Sequence, residues 1–201
     1  MKLYYSPGAC SMAPHIVACE AGVDLELVRV DIPKKKTASG DDYWAINPKG
    51  YVPALDTGKG VLSEVAVICQ YLADQNPQSK LAPAVGSFER YQLQEALNFA
   101  ATEVHKQIGA LFNPALTPEM RVVQTATAGR RLTTLDKLLD GKQYIMGDQF
   151  TAADAYLFTV LRWAAVHKID LGQWPNIQAY VERVGARPKV QEAMKSEGLL
   201  G

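Results

Sequence analysis

The hydrophobic pattern of the chain changes once, and this change constrains the fold more than any other feature. Up to about residue 75, short strand-like apolar runs alternate with helical ones, whereas every apolar run after residue 87 has a helical period. The polar stretch NPQSKLAPAVGS (76–87) lies between them and contains proline, glycine and serine, which are typical of linkers. We therefore expect a small α/β domain at 1–77, a linker at 78–87 and an all-α domain at 88–201.

The first domain has the pattern of a β-α-β unit followed by a β-hairpin and a helix. KLYY (2–5) and LELVRVDI (25–32) predict strands, with a helix from Ser11 to Ala21 between them. YVPAL (51–55) and GVLS (60–63) predict a hairpin around DTGKG, and VAVICQYLADQ (65–75) predicts a helix. The first two strands should be parallel and the hairpin antiparallel. Residues 34–50 predict a loop with one short helical piece.

The second domain reads as a series of helices. Residues 88–112 predict one long helix, Pro118 begins another that runs to about Leu139, and the apolar segment 151–166 predicts the core helix. Residues 175–188 predict a further helix before a last turn or two. Thr151, followed three residues later by Asp154, forms a capping box with Asp in the usual Glu position, and we expect it to be structural.

The composition excludes several classes of function. Lys+Arg and Asp+Glu number 21 each, so the chain lacks the basic excess of a nucleic-acid-binding protein. No apolar run approaches the roughly 18–20 residues of a membrane span, and the first residues become polar too early for a signal peptide. Three widely spaced cysteines suit a reducing compartment, and the three histidines form no metal-ligand cluster. We expect a cytoplasmic protein without metal, nucleic-acid or membrane partners.

Cys10 is the first candidate for chemistry, because it lies between the turn SPGA and the start of the predicted helix. The amide groups and dipole of a helix N-terminus favour a thiolate, and a thiolate is the reactive form of cysteine. Alternatively, Cys10 is a small buried hydrophobe, which is the interpretation we favour for Cys19 and Cys69 inside apolar helical patterns. Its placement alone leaves the two interpretations of Cys10 open.

Two further positions suggest a peptide-like ligand. A cis bond at Val52-Pro53, at the opening of a predicted strand, would leave the backbone of Val52 free to pair with an extended ligand. The alternative is an ordinary edge-strand proline. Ser63 and Glu64 begin a helix, where backbone amides bind a carboxylate and Glu64 accepts from an ammonium. The alternative there is a glutamate that merely complements the helix dipole.

The long helix carries a third candidate group. Asn98, Thr102 and His105 share one side of it, with Lys106 at the border. His105 and Lys106 would place positive charge and hydrogen-bond donors near a thiolate. The alternative is a solvated helix face.

Taken together, five segments resemble the cytosolic glutathione S-transferases: YYSPGACS with PH, NPKGYVPAL, SEVAVICQYLAD, NFAATEVHK and GDQFTAADAYLF. The cysteine at position 10 and the EVHK segment resemble the bacterial beta class. The resemblance covers essentially the whole chain, in order. It implies a glutathione S-transferase fold, with a thioredoxin-like glutathione-binding domain and an all-α domain that holds the hydrophobic-substrate site. It also implies a homodimer with two glutathione sites.

The resemblance further implies a role for each candidate residue. Cys10 would contact the glutathione sulfur and be able to form a mixed disulfide with it, while His105 and Lys106 would close the catalytic site around the thiol. The backbone of Val52, with Pro53 cis, would pair with the cysteinyl part of glutathione. The implied further glutathione contacts are Ala9, Lys35 at the glycyl end, Glu64 and the Val65 amide at the γ-glutamyl head, and Asn98 and Glu103 from the other subunit.

Val65 departs from the family pattern, since relatives usually carry serine or glycine there. The hydroxyl contact is lost while the backbone amide stays, so a reduced affinity for glutathione is expected.

The implied activity is conjugation of the co-substrate glutathione to hydrophobic electrophiles bound in an apolar pocket between the domains. Because Ala13 stands where a second cysteine could be, any disulfide or peroxide reduction through Cys10 would need a second glutathione. Two alternatives remain. The chain is mainly a glutaredoxin-like thiol-disulfide oxidoreductase, or it is a non-catalytic carrier of hydrophobic ligands.

Overall fold

A mixed five-stranded sheet forms the first part of the computed structural model, which describes residues 1–200. The strands lie in the order β3-β2-β1-β4-β5. In chain order, the elements are β1 (Lys2–Tyr5), α1 (Met12–Ala21), β2 (Glu26–Asp31), β3 (Lys36–Thr37), α2 (Tyr43–Ile46), β4 (Ala54–Asp56), β5 (Val61–Ser63) and α3 (Val65–Gln75).

The strand pairing confirms the two patterns predicted from the sequence. Strands β1 and β2 are parallel around the crossover helix α1, whereas β4 pairs antiparallel with both β1 and β5. Strand β4 begins only at Ala54, so Val52 and Pro53 precede the strand that they were expected to open. The short strand β3 is not predicted, because its two residues lie in the polar run KKKTASG, which has no strand period.

The sheet buries its two faces against different helices. Leu3 and Leu55 belong to the main core with α1 and α3, while Ala54 on the opposite face packs with Val30 and with Tyr43 of α2. This alternation follows from the two-residue period of a strand. Helix α2 therefore lies across the sheet from α1 and α3, next to the segment that contains Val52.

A series of helices forms the rest of the described chain. The predicted long helix has the expected bounds, but it is not uniform: Ala100–His105 is π-helical and Ala110–Phe112 is a 3-10 turn. A π-helical turn changes which side chains share a face, and such turns are frequent at functional sites. The α-helices of this part are α4 (Phe88–Phe99), α5 (Lys106–Gly109), α6 (Pro118–Leu138), α7 (Ala152–Leu161), α8 (Trp163–Val166), α9 (Pro175–Gly185) and α10 (Pro188–Ser196).

Helix α7 is the centre of the molecule. All of its residues are buried, and it packs against α1 and α3 of the sheet part as well as α4 and α9 of the helical part. The prediction of a core helix is confirmed for Ala152–Leu161, whereas the predicted continuation to residue 166 is a separate helix, α8. Helix α7 joins the two parts into one core. None of the helices in residues 1–200 combines the length and the apolar composition of a bilayer-spanning segment.

The predicted capping box at the start of α7 is present and belongs to a larger buried network. The Asp154 carboxylate accepts hydrogen bonds from both the amide and the hydroxyl of Thr151, each at 2.8 Å. It also accepts from the amide of Ile145 at 2.8 Å and from the hydroxyl of Tyr180 at 3.0 Å. One fully buried carboxylate thus begins α7 and ties two neighbouring segments to it.

Replacing Asp154 by Asn should therefore destabilise the whole fold. An amide in place of the carboxylate loses the charge and points an NH₂ group at a donor, so we expect a loss of about 2–4 kcal/mol in the free energy of unfolding. Urea denaturation followed by circular dichroism measures it. The control is Asp148→Asn at an exposed position, which should change stability by less than about 0.5 kcal/mol. Equal stabilities for the two variants would contradict the network's role.

Candidate active site

Cys10 lies on a compact loop, residues 6–11, between β1 and α1. The Ala9 amide donates to the Ser6 carbonyl at 3.0 Å, and the Ser11 hydroxyl accepts from the Ser6 amide at 3.1 Å. Gly8 has a φ of +70°, a left-handed conformation that residues other than glycine adopt only at a cost. The loop holds Cys10 just before the first turn of α1, as the sequence predicts.

The helical part binds this loop through both backbone groups of Gly8. The Gly8 amide donates to the Glu197 carboxylate at 2.9 Å, and its carbonyl accepts from the indole N–H of Trp163 at 2.9 Å. Glu197 also pairs with Nδ1 of His15 at 2.9 Å, and the two side chains are 0% and 7% exposed. No pattern in the sequence singles out Glu197 or Trp163, because both act on a residue more than 150 positions away.

A cavity of about 460 Å³ opens between the two parts beside this loop. Four residues predicted for the site lie in its wall, namely Ala9, Cys10, Val52 and His105. The rest of the wall is largely apolar, as a site for a hydrophobic compound requires. Its remaining residues are Pro7, Gly8, Ile32, Tyr51, Gly109, Phe112 and Trp163.

The Cys10 thiol is a neutral group, contrary to the expectation of a thiolate favoured by the helix N-terminus. Burial raises the pKa of Cys10 to about 12, although the backbone amides of Cys10 and Ser11 lower it. Loss of hydration disfavours the charged form more strongly than the helix terminus stabilises it. The thiol donates to the Val52 carbonyl at 3.2 Å, so Cys10 is a hydrogen-bond donor at neutral pH.

The other two cysteines match their structural interpretation. Cys69 is fully buried in the core, and burial raises the pKa of its thiol above the ordinary range. Cys19 is partly buried and packs against the same core.

His105 reaches the cavity as a neutral imidazole. Burial lowers the pKa of His105 to about 4, and the charge of Lys106 lowers it further. Its Nδ1 lies 2.6 Å from the hydroxyl of Tyr156, and its ring packs edge-on against Trp163. The expectation of positive charge on His105 is wrong, because a partly dehydrated ring beside a cation does not take up a proton. Lys106 itself is exposed and does not line the cavity.

The Val52 segment lies in the cavity wall. The Val52-Pro53 peptide bond is cis, in agreement with the sequence prediction. The preceding Tyr51 carbonyl accepts from the hydroxyl of Tyr43 at 2.9 Å and from the amide of Asn47 at 2.7 Å. Helix α2 and the residue after it thus fix the position of the segment.

The remaining predicted residues of the first part, Lys35, Glu64 and Val65, do not line the cavity. Glu64 lies just before α3 with a φ of +74°, and its carboxylate binds the ammonium of Lys49 at 2.6 Å. Val65 is the first residue of α3, where backbone amides lack partners within the helix. The Lys35 ammonium donates to the Gly50 carbonyl at 2.7 Å and lies over the ring of Tyr51, which is part of the cavity wall.

Asn98 and Glu103 do not line the cavity of their own chain. Asn98 is exposed, and the Glu103 carboxylate pairs with Arg131 of α6 at 2.8 Å.

Comparison with known proteins is consistent with this geometry. Residues 1–74 match the family model of the glutathione S-transferase N-terminal domain, and residues 99–188 match that of the C-terminal domain. Glutathione S-transferase GstA of Escherichia coli O157:H7 is 46% identical over 200 residues, which cover 99% of this chain and 100% of that protein. The chain belongs to the glutathione S-transferase family.

Two solved structures place it among bacterial members of that family. A Sphingomonas chungbukensis glutathione S-transferase, described as bacterial beta class, is 43% identical with a TM-score of 0.96, and the match covers 100% of both chains. A sphingomonad glutathione S-transferase in complex with glutathione is 44% identical with a TM-score of 0.95, covering 99% of this chain and 100% of that one. The thioredoxin-like N-terminal fold, the helical C-terminal part and the similarity to the beta class are thereby confirmed.

The buried pair of His15 and Glu197 predicts how stability depends on pH. Burial lowers the pKa of His15, but hydrogen bonds to Cys19 and Glu197 outweigh it and raise the pKa from 6.5 to about 9. The folded state therefore holds the proton more tightly than the unfolded chain. This contribution should be complete below pH 6.5 and lost as the pH rises through about 9.

We expect Glu197→Gln to weaken this dependence, because only the interaction with Cys19 then raises the pKa of His15. The variant should be less stable than the parent by about 1–2 kcal/mol at the low end of that range, with little difference at the high end. Denaturant unfolding at a series of pH values measures both. The control is Glu192→Gln, which alters only an exposed pair with Lys189. A parent protein whose stability is constant across the range would contradict the assignment.

Proposed function

We propose that this chain is a glutathione transferase that activates the glutathione thiol and adds it to a hydrophobic electrophile in the cavity between its two parts. The observation that carries the proposal is the shared cavity wall of Cys10, His105 and Val52. Two side-chain donors and the Val52 segment converge there on an otherwise apolar space. This arrangement suits a peptide-like thiol on one side and an apolar partner on the other.

Neutral donors make the glutathione thiolate, and not Cys10, the reacting nucleophile. A hydrogen bond from the Cys10 thiol to the glutathione sulfur is stronger when that sulfur carries negative charge, so it lowers the pKa of the glutathione thiol. His105 supplies a second donor to the same space. The glutathione thiol loses its proton to solvent water. The thiolate then attacks the electrophile, its sulfur forms the new bond, and the leaving group departs with its electron pair.

The two parts of the chain bind different substrates in this proposal. In our proposal residues 1–77 bind glutathione, with its cysteinyl part along Val52, its γ-glutamyl head at Glu64 and Val65, and its glycyl end towards Lys35. Residues 88–201, joined through 78–87, supply the electrophile side of the cavity through Phe112 and Trp163. The ion pair of Glu64 with Lys49 supports the head-group assignment, since this carboxylate already accepts an ammonium.

Substitutions of Cys10 test the proposed role of the thiol. Cys10→Ser keeps a neutral donor of similar size, whereas Cys10→Ala removes it. We expect Cys10→Ala to lower kcat/KM for conjugation to an aromatic halide by about 10- to 100-fold, with a smaller loss for Cys10→Ser. Steady-state kinetics with glutathione and the halide measure both. Unchanged kcat/KM in the alanine variant would show that Cys10 does not activate the thiol.

The same variants separate conjugation from the alternatives. Disulfide exchange requires Cys10 as a thiolate, and burial of this thiol opposes that form. If the chain is mainly an oxidoreductase, Cys10→Ser abolishes its main activity. If it is a transferase, that variant loses exchange but keeps most conjugation. A carrier would show no turnover in any variant.

We further propose that the chain is a homodimer of the reducing cytoplasm. Three large apolar side chains, Val67, Phe88 and Tyr91, are 46%, 73% and 61% exposed on α3 and α4. The ion pair of Arg90 with Asp74 joins these two helices, so it would fix the position of an apolar surface formed by both. A partner there would allow Asn98 and Glu103 to approach the second site. The three cysteines are unpaired, which suits a reducing compartment.

Sedimentation equilibrium tests the dimer. We expect about twice the chain mass of 22.0 kDa, and a reduction to one chain mass on replacing Tyr91 by Lys. A parent protein of one chain mass at micromolar concentration would contradict the proposal.

A further inference from the structure

Tyr156 lies directly behind His105, and the proposed mechanism does not yet use it. It belongs to α7, the central helix, and is 3% exposed. Its hydroxyl lies 2.6 Å from Nδ1 of His105, and the two rings pack edge-on at 5.7 Å. Such a short contact to a ring at the cavity wall raises the question of which atom carries the proton.

The buried groups around the contact settle the position of that proton. Burial raises the pKa of Tyr156, so the phenol keeps its hydrogen. Within residues 1–200 the hydroxyl has no hydrogen-bond partner other than His105. If Nδ1 carried the imidazole proton, the phenol hydrogen would be buried without an acceptor, which is costly. The phenol therefore donates, and Nδ1 accepts.

A neutral imidazole has one N–H, so in His105 it must be on Nε2. No described residue binds Nε2, and it is not one of the buried atoms left without a partner. The Cδ2–Nε2 edge of the ring faces Gly109, which is also part of the cavity wall. The Nε2–H group is thus an unused donor at the cavity that contains Cys10.

We propose that Tyr156 is a positioning residue that holds His105 in the Nε2–H tautomer and so directs a neutral donor at the glutathione sulfur. The role of the Nε2–H group as a donor to glutathione rests on the proposed function, whereas the assignment of the proton to Nε2 does not. Because Tyr156 is fixed in the most buried helix, it also restricts rotation of the ring. A donor of this kind does not change with pH in the neutral range, unlike a histidine with an ordinary pKa.

The tautomer is tested by nitrogen NMR of the protein labelled at its three histidines, with His105→Gln used to assign the signal. In the parent protein we expect His105 to show the Nε2–H pattern at neutral pH. In Tyr156→Phe, which keeps the ring and removes only the hydroxyl, we expect a mixture of the two tautomers. A parent protein with the Nδ1–H tautomer, or a variant spectrum unchanged from the parent's, would overturn the proposal.

Kinetics test the consequence of the tautomer. Tyr156→Phe should lower kcat for conjugation by about tenfold with an unchanged KM for glutathione, since only the orientation of a donor is lost. Thr134→Val, which also removes one hydroxyl but at an exposed position of α6, is the matched control and should leave kcat unchanged. In a His105→Gln background the further change Tyr156→Phe should have no effect, because the amide of glutamine needs no tautomer.

The two sets of measurements separate the possible failures. A tautomer shift with kcat intact would show that His105 is not positioned for catalysis. Equal losses of kcat from Tyr156→Phe in both backgrounds would show that Tyr156 acts independently of His105, which overturns the proposal. If the parent protein itself does not conjugate, the proposed function fails, while the spectrum of the parent still decides the tautomer.

Discussion

The site depends on Gly8, which belongs to the sheet part of the chain but is hydrogen-bonded by the helical part. Its amide and its carbonyl are both partly buried at the junction, and neither is hydrogen-bonded by the sheet to which its loop belongs. Glu197 and Trp163 supply the partners from the far end of the chain. Because backbone groups that lose contact with water need partners, the helical part stabilises the shape of the loop. The position of Cys10, and the cavity beside it, are therefore properties of the assembled molecule.

Burial also decides the electrostatics of the cavity. At Cys10 a helix N-terminus favours the thiolate, yet loss of hydration outweighs it and the thiol stays protonated. At His105 the same effect, helped by Lys106, removes a positive charge. Both groups are therefore neutral hydrogen-bond donors across the neutral pH range. Such donors favour charge on an incoming sulfur without acting as nucleophiles themselves, as the proposed conjugation requires.

Local signals were sufficient to predict part of this structure from the sequence. The β-α-β order, the hairpin, the bounds of α3, and the capping box of Thr151 and Asp154 all depend on residues a few positions apart. The cavity residues Ala9, Cys10, Val52 and His105 followed from motif resemblance. The sequence could not predict the roles of Trp163, Glu197 and Tyr156, because each contacts a residue more than 50 positions away. The sign of the pKa shift at Cys10 depends on burial, which no local pattern reports.

The account rests on a protonated Cys10 that becomes a donor to a bound thiolate. The most direct measurement is the ultraviolet absorbance of thiolate, titrated with pH in the parent protein and in Cys10→Ala, with and without glutathione. The account predicts that Cys10 contributes no detectable thiolate at neutral pH in the protein alone. It also predicts that bound glutathione ionises at a lower pH in the parent than in the variant. A thiolate at neutral pH that is present in the parent without glutathione and absent from Cys10→Ala would contradict it.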